Sequence, residues 1–527
     1  MKRYTLFLWL VVVLSVMLGF LIGSNQQLVE NVQRKPLSGT QKLNQFIRYL
    51  DRYYVDQINT DSLASVLIKD IVQKLDPHSF YIGQEDLSAM TEKMQGNFVG
   101  IGVSFFMVED TVNVIRVLEG GPSKRAGLLS GDRILTANSD TLFGKRLESK
   151  EIVNRLRGEE QSPVHLKIYR PSSATTFGVR LQRELVPIRS VVHYLLHNTI
   201  GYIKINRFAD TTYKEFISAV EELNSLGMSQ MILDLRDNPG GYLFAAEQIS
   251  DVFLEEGQAI VTVESNQGET KTTYARSGGI FEQGQVFVLI NGESASASEV
   301  VAGALQDNDR AWLLGQRSFG KGLVQQQMPL GKQEAVRLTT ARYYTPTGRS
   351  IQRPFDSGND AYFSEIKERY QTGELADVNK IPQNDTLAFT TPKGRKVYGG
   401  GGIVPDIYLP EEASLNQQWS NYLLQSNLIN HFVFIELDKR RNEFQGIGRQ
   451  EFINQPLQKK AQWLKALKQY IDEQAVPIDL VDKELAFTAI QSYLALQLFD
   501  EAAYLEIKHK NDKYVLAATE QIDKSSP

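Results

Sequence analysis

Between residues 200 and 308 short strand-like runs alternate with amphipathic ones, and this alternation constrains the fold more than any other feature of the chain. GYIKINRF reads as a strand and TTYKEFISAVEELNSLG as a helix with a glycine stop. SQMILDLRDNPGG is a strand ending in a turn, YLFAAEQISDVFLEE a helix, QVFVLING a strand and SASEVVAGALQDN a helix. Strands alternating with helices predict parallel βαβ units.

The last of these junctions, QVFVLINGESASASEVVAGAL, carries chemistry. A β-branched run ends at Ile290, Asn291-Gly292 turns the chain, and a helix begins within the serines. Free N–H groups and the helix dipole favour negative charge at such a place, so an oxyanion forming there is stabilised. The residue pattern alone leaves Ser294, Ser296 and Ser298 equivalent, and simple N-capping explains a serine cluster equally well. A nucleophilic serine needs a base, and no histidine lies in residues 291–325. Lys321, between glycines in RSFGKGLVQ, is the alternative, because burial lowers a lysine pKa towards the range of a general base. The plain reading of Lys321 is an exposed turn lysine. GQRSFGKG is one residue short of a phosphate loop, has Gly322 where a hydroxyl is needed, and precedes a strand-like run, which argues against nucleotide binding.

The rest of the chain divides by its periodicity. Lys2 and Arg3 precede an uncharged, mostly apolar run from Thr5 to Gly23, close to the ~20 residues that span a bilayer. The expectation is a transmembrane signal-anchor over 1–24 with the body outside the cytoplasm. A cleaved signal peptide is the rival, although no A-x-A-like cleavage site follows. Residues 25–39 read as a linker and 40–96 as a helical domain, with Leu43, Phe46, Ile47 and Leu50 on one helical face. FVGIGVSF, TVNVIRVL, DRILTAN and VHLKIYR are short strands, and residues 411–527 return to helical patterning, clearest in AFTAIQSYLALQLFDEAAYLEI. The 527 residues allow three or four domains, and the net charge of −5 gives no reason to expect nucleic-acid binding. The absence of cysteine excludes disulfides, thiol catalysis, thiolate metal sites and a lipoprotein anchor.

Taken together, SASASE, ALQDN, FGKGLVQ, LDLRDNPGG and LTTARYYTPTGRSI, with GGIVPDIYLP at 401–410, resemble the carboxy-terminal processing, or tail-specific, proteases of peptidase family S41. The resemblance implies a PDZ domain at 97–186 and an α/β Ser-Lys protease core at 187–410; with the membrane helix and helical N-terminal segment read above, and a helical C-terminal extension at 411–527 that exceeds the family pattern and has no role assigned, the expected fold is a multidomain α/β protein. It implies Ser296 as nucleophile, Lys321 as base, Gln325 as the residue that positions the lysine, and Asp307 as a supporting acid. Ala297 with Gly240 or Gly241 would supply the oxyanion hole. FVGIGV resembles the carboxylate-binding loop of PDZ domains, so Gly100, Ile101, Gly102 and Val103 would receive a chain terminus that adds as a strand, with Leu156 helping to line the pocket. GPSKRAGLLSGDRILTAN resembles the second PDZ signature.

The expected activity is a serine endopeptidase needing no metal or cofactor, with protein or peptide substrates that have accessible C-termini. It would sit as a single-pass protein of a bacterial inner membrane facing the periplasm, or be secreted there, and homo-oligomers are expected of its helical ends. Short connections between the PDZ domain and the core suggest gating of the site. Two rivals from other classes are a scaffold that only binds chain termini and a β-lactamase-like enzyme; the latter needs S-x-x-K, and Ser296 and Lys321 are too far apart for it. The segment near 352–399 is an insertion relative to the family pattern, with no role assigned.

Overall fold

The computed structural model describes residues 2–30, 37–197, 199–382, 385–411, 422–423, 426–455, 457–476 and 482–525. Parts of the expected linker (31–36), the insertion (383–384) and the C-terminal extension, including 412–421 and 477–481, lie outside the described residues. The chain divides into two units, Met1–Ile71 and Val72–Pro527.

In the first unit a helix runs Lys2–Glu30, and its side chains from Phe7 to Leu14 are exposed. Leu6 and Ile22, within the expected membrane span, have side chains outside the described set. Among the described residues no helix is long and apolar enough to cross a membrane. A second helix, Gly39–Tyr53, starts in a reciprocal capping box: Gln41 N–H donates to Ser38 Oγ (3.3 Å) and Ser38 N–H to Gln41 Oε1 (2.9 Å). Its apolar face forms at the expected spacing, yet no residue of this helix is buried, and Leu43 and Phe46 stay exposed.

The second unit begins with a departure from expectation. DPHSFYIG, inside the segment expected to be helical, contains the strand Phe80–Ile82, which pairs antiparallel with Glu334–Tyr344. Its aromatic and β-branched residues suit a pleated surface, but a run so short declares itself only through its partner. The helix Gln84–Gln95 follows, stopped by Gly96 in the left-handed region (φ 75°).

Strands Asn97–Gly100 and Glu184–Pro187 then pair and close the base of a small β domain. Within it Val103–Val108, Thr111–Val117, Arg133–Ala137, Pro163–Arg170 and Thr175–Gln182 form an antiparallel sheet in that order, leaving Val103–Val108 at one edge. In Pro163–Arg170, Val164, Leu166 and Ile168 are buried and their neighbours point outward, the two-residue period of a half-buried strand. Leu156 is buried at the end of the helix Ser149–Leu156 as part of this domain's core, packed with Ile101, Ile152 and Val164.

The expected βαβ units appear as a six-stranded sheet ordered 191–197, 200–205, 230–234, 285–290, 312–315, 407–408, whose first pair is antiparallel and whose others are parallel. Strand Gln285–Ile290 explains why such a run is almost wholly apolar. Val286, Val288 and Ile290 enter a core with the helices Thr212–Ser225, Leu243–Asp251 and Ala297–Asp307, while Phe287 and Leu289 enter a second core. That second core is filled by Leu505, Val515, Ala518 and Ile522, so the C-terminal helices cover the sheet's other face. The amphipathic run near 485–507 is two helices, Lys483–Leu498 and Glu501–Lys508, because Asp500 caps the second by accepting from Ala503 N–H (2.7 Å).

The described residues of 352–399 include the helix Asn359–Thr372 and a small hairpin. Arg369 of that helix donates to the carbonyls of Arg317 (3.1 Å) and Ser318 (2.9 Å), just ahead of Lys321.

Candidate active site

Ser296 caps the helix Ala297–Asp307 from outside the helical region, at φ 57°. The left-handed backbone is costly for a serine and marks a constrained position. The three serines that sequence could not separate differ here. Ser294 Oγ donates to Leu235 O (2.8 Å) and Ser298 Oγ to Asn238 O (2.9 Å), both fully buried. Ser296 lines a cleft of about 450 Å³ that also contains Lys321, Gln325, Gly240, Gly241 and Ala297.

Burial pushes the Lys321 ammonium down to about 8, with the nearby Arg337 charge acting in the same direction and Glu299 and Asp76 opposing. Among the described residues no hydrogen bond joins Ser296 Oγ to Lys321 Nζ; their coupling runs through the backbone. Glu299, fully buried, accepts from Ser296 N–H (2.8 Å) and Lys321 N–H (2.9 Å) on Oε2, and from Ser318 Oγ (2.5 Å) and Gly320 N–H (2.7 Å) on Oε1. Its pKa is raised by desolvation, against the lowering effect of these donors. Tyr343, also buried, donates towards the carbonyls of Lys321 (2.8 Å) and Ser296 (3.1 Å). Sequence reasoning missed both; SASASE and ARYYTP contained them, but nothing in their spacing says that they bridge two distant segments.

Gly240 and Gly241 lie against the turn that carries Ser296. A Cβ at Gly240 (φ 96°) would stand 2.8 Å from Ser296 Cβ and 2.9 Å from Ala297 N. Of the two glycines expected as alternative oxyanion donors, Gly240 donates its N–H to Asn238 Oδ1 at 2.9 Å. The N–H groups of Gly241 and Ala297 find no acceptor among the described residues.

Gln325 sits at a bulge in the strand Leu323–Leu330, and its Nε2 donates to Thr339 Oγ1 (3.4 Å), not to Lys321. Thr339 Oγ1 in turn donates to Asp76 Oδ1 (3.1 Å). Asp307 is placed at the far end of the Ser296 helix, away from the cleft lining. Its carboxylate pairs with Arg349 at 2.7 Å, both side chains fully buried, so its observed contacts are those of a fold-locking ion pair. His78 lies near Lys321 but hydrogen-bonds Tyr362 (2.8 Å), is held neutral near a pKa of about 3, first by burial, and does not line the cleft.

In the β domain, Gly102 adopts φ 74° and a Cβ there would meet Gly121 Cα at 3.1 Å. Ile101 and Gly102 N–H groups find no backbone acceptor among the described residues, and Gly100 and Val103 flank them where two strands meet. This domain rests on the helix Gln84–Gln95 through Arg157–Glu92 (2.5 Å) and Lys150–Glu85, and Thr91 and Met94 of that helix line the cleft.

A peptidase family S41 profile matches residues 199–356, and a PDZ domain profile matches 99–181. The chain is 33% identical over 336 residues to a carboxy-terminal-processing protease of Bartonella bacilliformis, covering 63% of this chain and 77% of that one. It is 29% identical over 386 residues to the carboxy-terminal processing protease CtpA of Bacillus subtilis, covering 73% and 80%. Among solved structures, the photosystem II D1 C-terminal processing protease aligns at 25% identity and TM-score 0.35, over 71% of this chain and 94% of that one.

Proposed function

This chain belongs to peptidase family S41, the carboxy-terminal-processing serine proteases, and we propose that it cleaves protein chains whose C-termini its PDZ domain captures, with Ser296 as nucleophile and Lys321 as general base. The observation that carries the reading is the shared cleft: a helix-capping serine, a lysine whose pKa burial lowers to about 8, and two unspent N–H groups.

In this reading uncharged Lys321 takes the Ser296 proton as Oγ attacks the scissile carbonyl, once bound substrate draws the two side chains into hydrogen-bond reach. The N–H groups of Ala297 and Gly241 receive the oxyanion, each worth ~3 kcal/mol in the transition state. The lysine proton passes to the leaving amine, an acyl-enzyme forms on Ser296, and water activated by Lys321 releases it. Gln325 acts on Lys321 indirectly, through Thr339 and Asp76.

The strand Val103–Val108 pairs with a strand on one side only and lies beside the Ile101 and Gly102 amides, which supports capture of a terminus by strand addition. The Glu85 and Glu92 ion pairs support gating, because the helix that carries the PDZ domain also contributes Thr91 and Met94 to the cleft. Placement on the periplasmic side of a bacterial inner membrane rests on the sequence alone, on Lys2, Arg3 and the apolar run to Gly23.

The test is cleavage of a protein with a free, unstructured C-terminus by the full chain. Ser296→Ala and Lys321→Ala should each remain folded and lose cleavage; continued cleavage by Ser296→Ala would end the proposal.

A further inference from the structure

Arg337 lies on the strand Glu334–Tyr344, which pairs with Phe80–Ile82, Ala259–Ser265 and Leu323–Leu330. It pairs with Phe80 on one side and Gln327 on the other. Alternation along these strands puts Gln325, Gln327 and Arg337 on one face, and all three line the cleft that holds Ser296 and Lys321. The guanidinium has two neutral partners: Nη2 donates to Gln327 Oε1 at 3.1 Å, and Cζ lies 5.4 Å from the Phe80 ring centroid.

Five other arginines of this half differ from it, and Arg310, which also lacks a carboxylate, spends its donors on the Phe253 and Phe281 carbonyls instead. Arg317, Arg349, Arg353, Arg369 and Arg395 each face a carboxylate. Among the described residues none pairs with Arg337, and no Asp or Glu lines the cleft. A half-buried guanidinium has five donors in a planar fork, and leaving them without an anion costs solvation. Here the protein supplies no anion, and the open side of the group is the substrate cleft.

We propose that Arg337 is a carboxylate receptor of the substrate site: it takes an acidic side chain or the free terminal carboxylate of the bound chain, a few residues from the scissile bond. The inference rests on the cleft being the proteolytic site and adds the class of substrate that the cleft selects. Bidentate pairing suits a guanidinium facing a planar carboxylate. The PDZ domain reads a terminus elsewhere, so the cleft applies a second and separate filter.

The probes are synthetic peptides built on a cleaved sequence, with Glu or Gln at each position around the cleavage site, each made with a free or an amidated C-terminus. The full chain should prefer the carboxylate form at one position by about 10- to 100-fold in kcat/KM, as a charged hydrogen bond allows. Arg337→Gln should erase that preference and Arg337→Glu should move it to a lysine peptide. Arg337→Lys, which keeps the charge but not the fork, should keep part of it. A preference confined to the free terminus identifies the α-carboxylate, and one that follows Glu identifies a side chain. Terminus preference that survives Arg337→Gln belongs to the PDZ domain; a preference undiminished by Arg337→Gln, for the terminus and for Glu alike, overturns the proposal.

Binding of the same peptides to Ser296→Ala, read by fluorescence anisotropy, separates the two ideas. Carboxylate discrimination that depends on Arg337, without Ser296-dependent cleavage, would keep the receptor and sink the protease reading. Cleavage that depends on Ser296 but treats Glu and Gln, and both termini, alike in wild type and Arg337→Gln would overturn the receptor alone.

Discussion

Glu299 Oε2 accepts the Lys321 backbone N–H at 2.9 Å. The same oxygen takes the Ser296 N–H at 2.8 Å, so one atom ties two segments far apart in sequence. Glu299→Gln turns one acceptor oxygen into a donor that faces N–H groups. An unmet buried donor costs about 1–3 kcal/mol, and the loss falls on the relative placement of nucleophile and base. Expected is a kcat lower by about 10- to 100-fold with KM nearly unchanged, measured by steady-state kinetics on folded protein. A fall in melting temperature with kcat intact would assign Glu299 a structural role only.

Lys321 must be uncharged to act as base, so kcat/KM should rise with pH and reach half its plateau near a pKa of about 8. Four charged or titratable groups face it. Arg337 helps burial to lower the value, Glu299 and Asp76 oppose, and His78 stays neutral above about 3. Arg337→Gln should therefore move the limb to higher pH. The sign for stability follows from the same shift. Between about 8 and the ordinary 10.5 the unfolded chain binds the proton that the folded chain has released, so stability rises with pH across that window. Lys321→Met, which removes the desolvated cation, should abolish cleavage and stabilise the protein at pH 7 by about 1–2 kcal/mol, checked by denaturant unfolding.

Gly240→Ala tests the turn that faces Ser296. Its Cβ would stand 2.8 Å from Ser296 Cβ, at a φ of 96° that alanine resists. The chain must displace Ser296 or the Ala297 amide, and misplacing one oxyanion donor costs about 10²- to 10³-fold in kcat. Gly241→Ala meets the Phe208 carbonyl at 2.1 Å instead, so its expected outcome is poor folding, read by circular dichroism.

Asp307 separates stability from chemistry. Its partner Arg349 is fully buried and also donates to Gln306 Oε1 (2.7 Å) and Tyr398 O (2.9 Å). Asp307→Ala leaves that cation without its counter-charge, a cost of about 3–5 kcal/mol. Melting temperature should fall steeply while the folded fraction keeps its kcat within about twofold, since Ser296 is a whole helix away.

How much of this was legible in the sequence depended on how local each signal is. The parallel sheet could be read because strands such as Gln285–Ile290 and helices such as Thr212–Ser225 write their periods into consecutive residues. Turn glycines and a helix start drew attention to the serine cluster and to Lys321, but they left Ser294, Ser296 and Ser298 equivalent, and only the family resemblance singled out Ser296. Glu299, Tyr343 and Arg337 could not be read, since each matters through contacts with other segments that no local period announces. The break at Asp500 was hidden by an apolar pattern that continues across it, and Leu43 and Phe46 show that a clean helical period does not say what, if anything, covers it.

The C-terminal extension reaches the edge strand on which a captured terminus would lie. Its helix Leu428–Arg440 sets His431 5.3 Å and Phe434 6.1 Å from the Phe106 ring. The His431 ring hydrogen-bonds the Met107 backbone, with Tyr470 OH 2.6 Å from its Nδ1. Asp438 holds Arg133 at 2.5 Å, and Arg441 reaches Ser130 at 3.4 Å. A peptide seated at Ile101 and Gly102 and extending along Val103–Val108 reaches Met107 after about four residues at ~3.3 Å each. Short termini therefore fit beside the docked helix, and longer ones compete with His431 for the same backbone. Weakening the dock with Asp438→Ala and Phe434→Ala together should tighten binding of about ten-residue peptides by about 5- to 10-fold and leave tetrapeptides unchanged, because only the longer ligand pays for displacement. Fluorescence anisotropy on the full chain measures both, and an equal effect on the two lengths would show that the helix does not obstruct the groove.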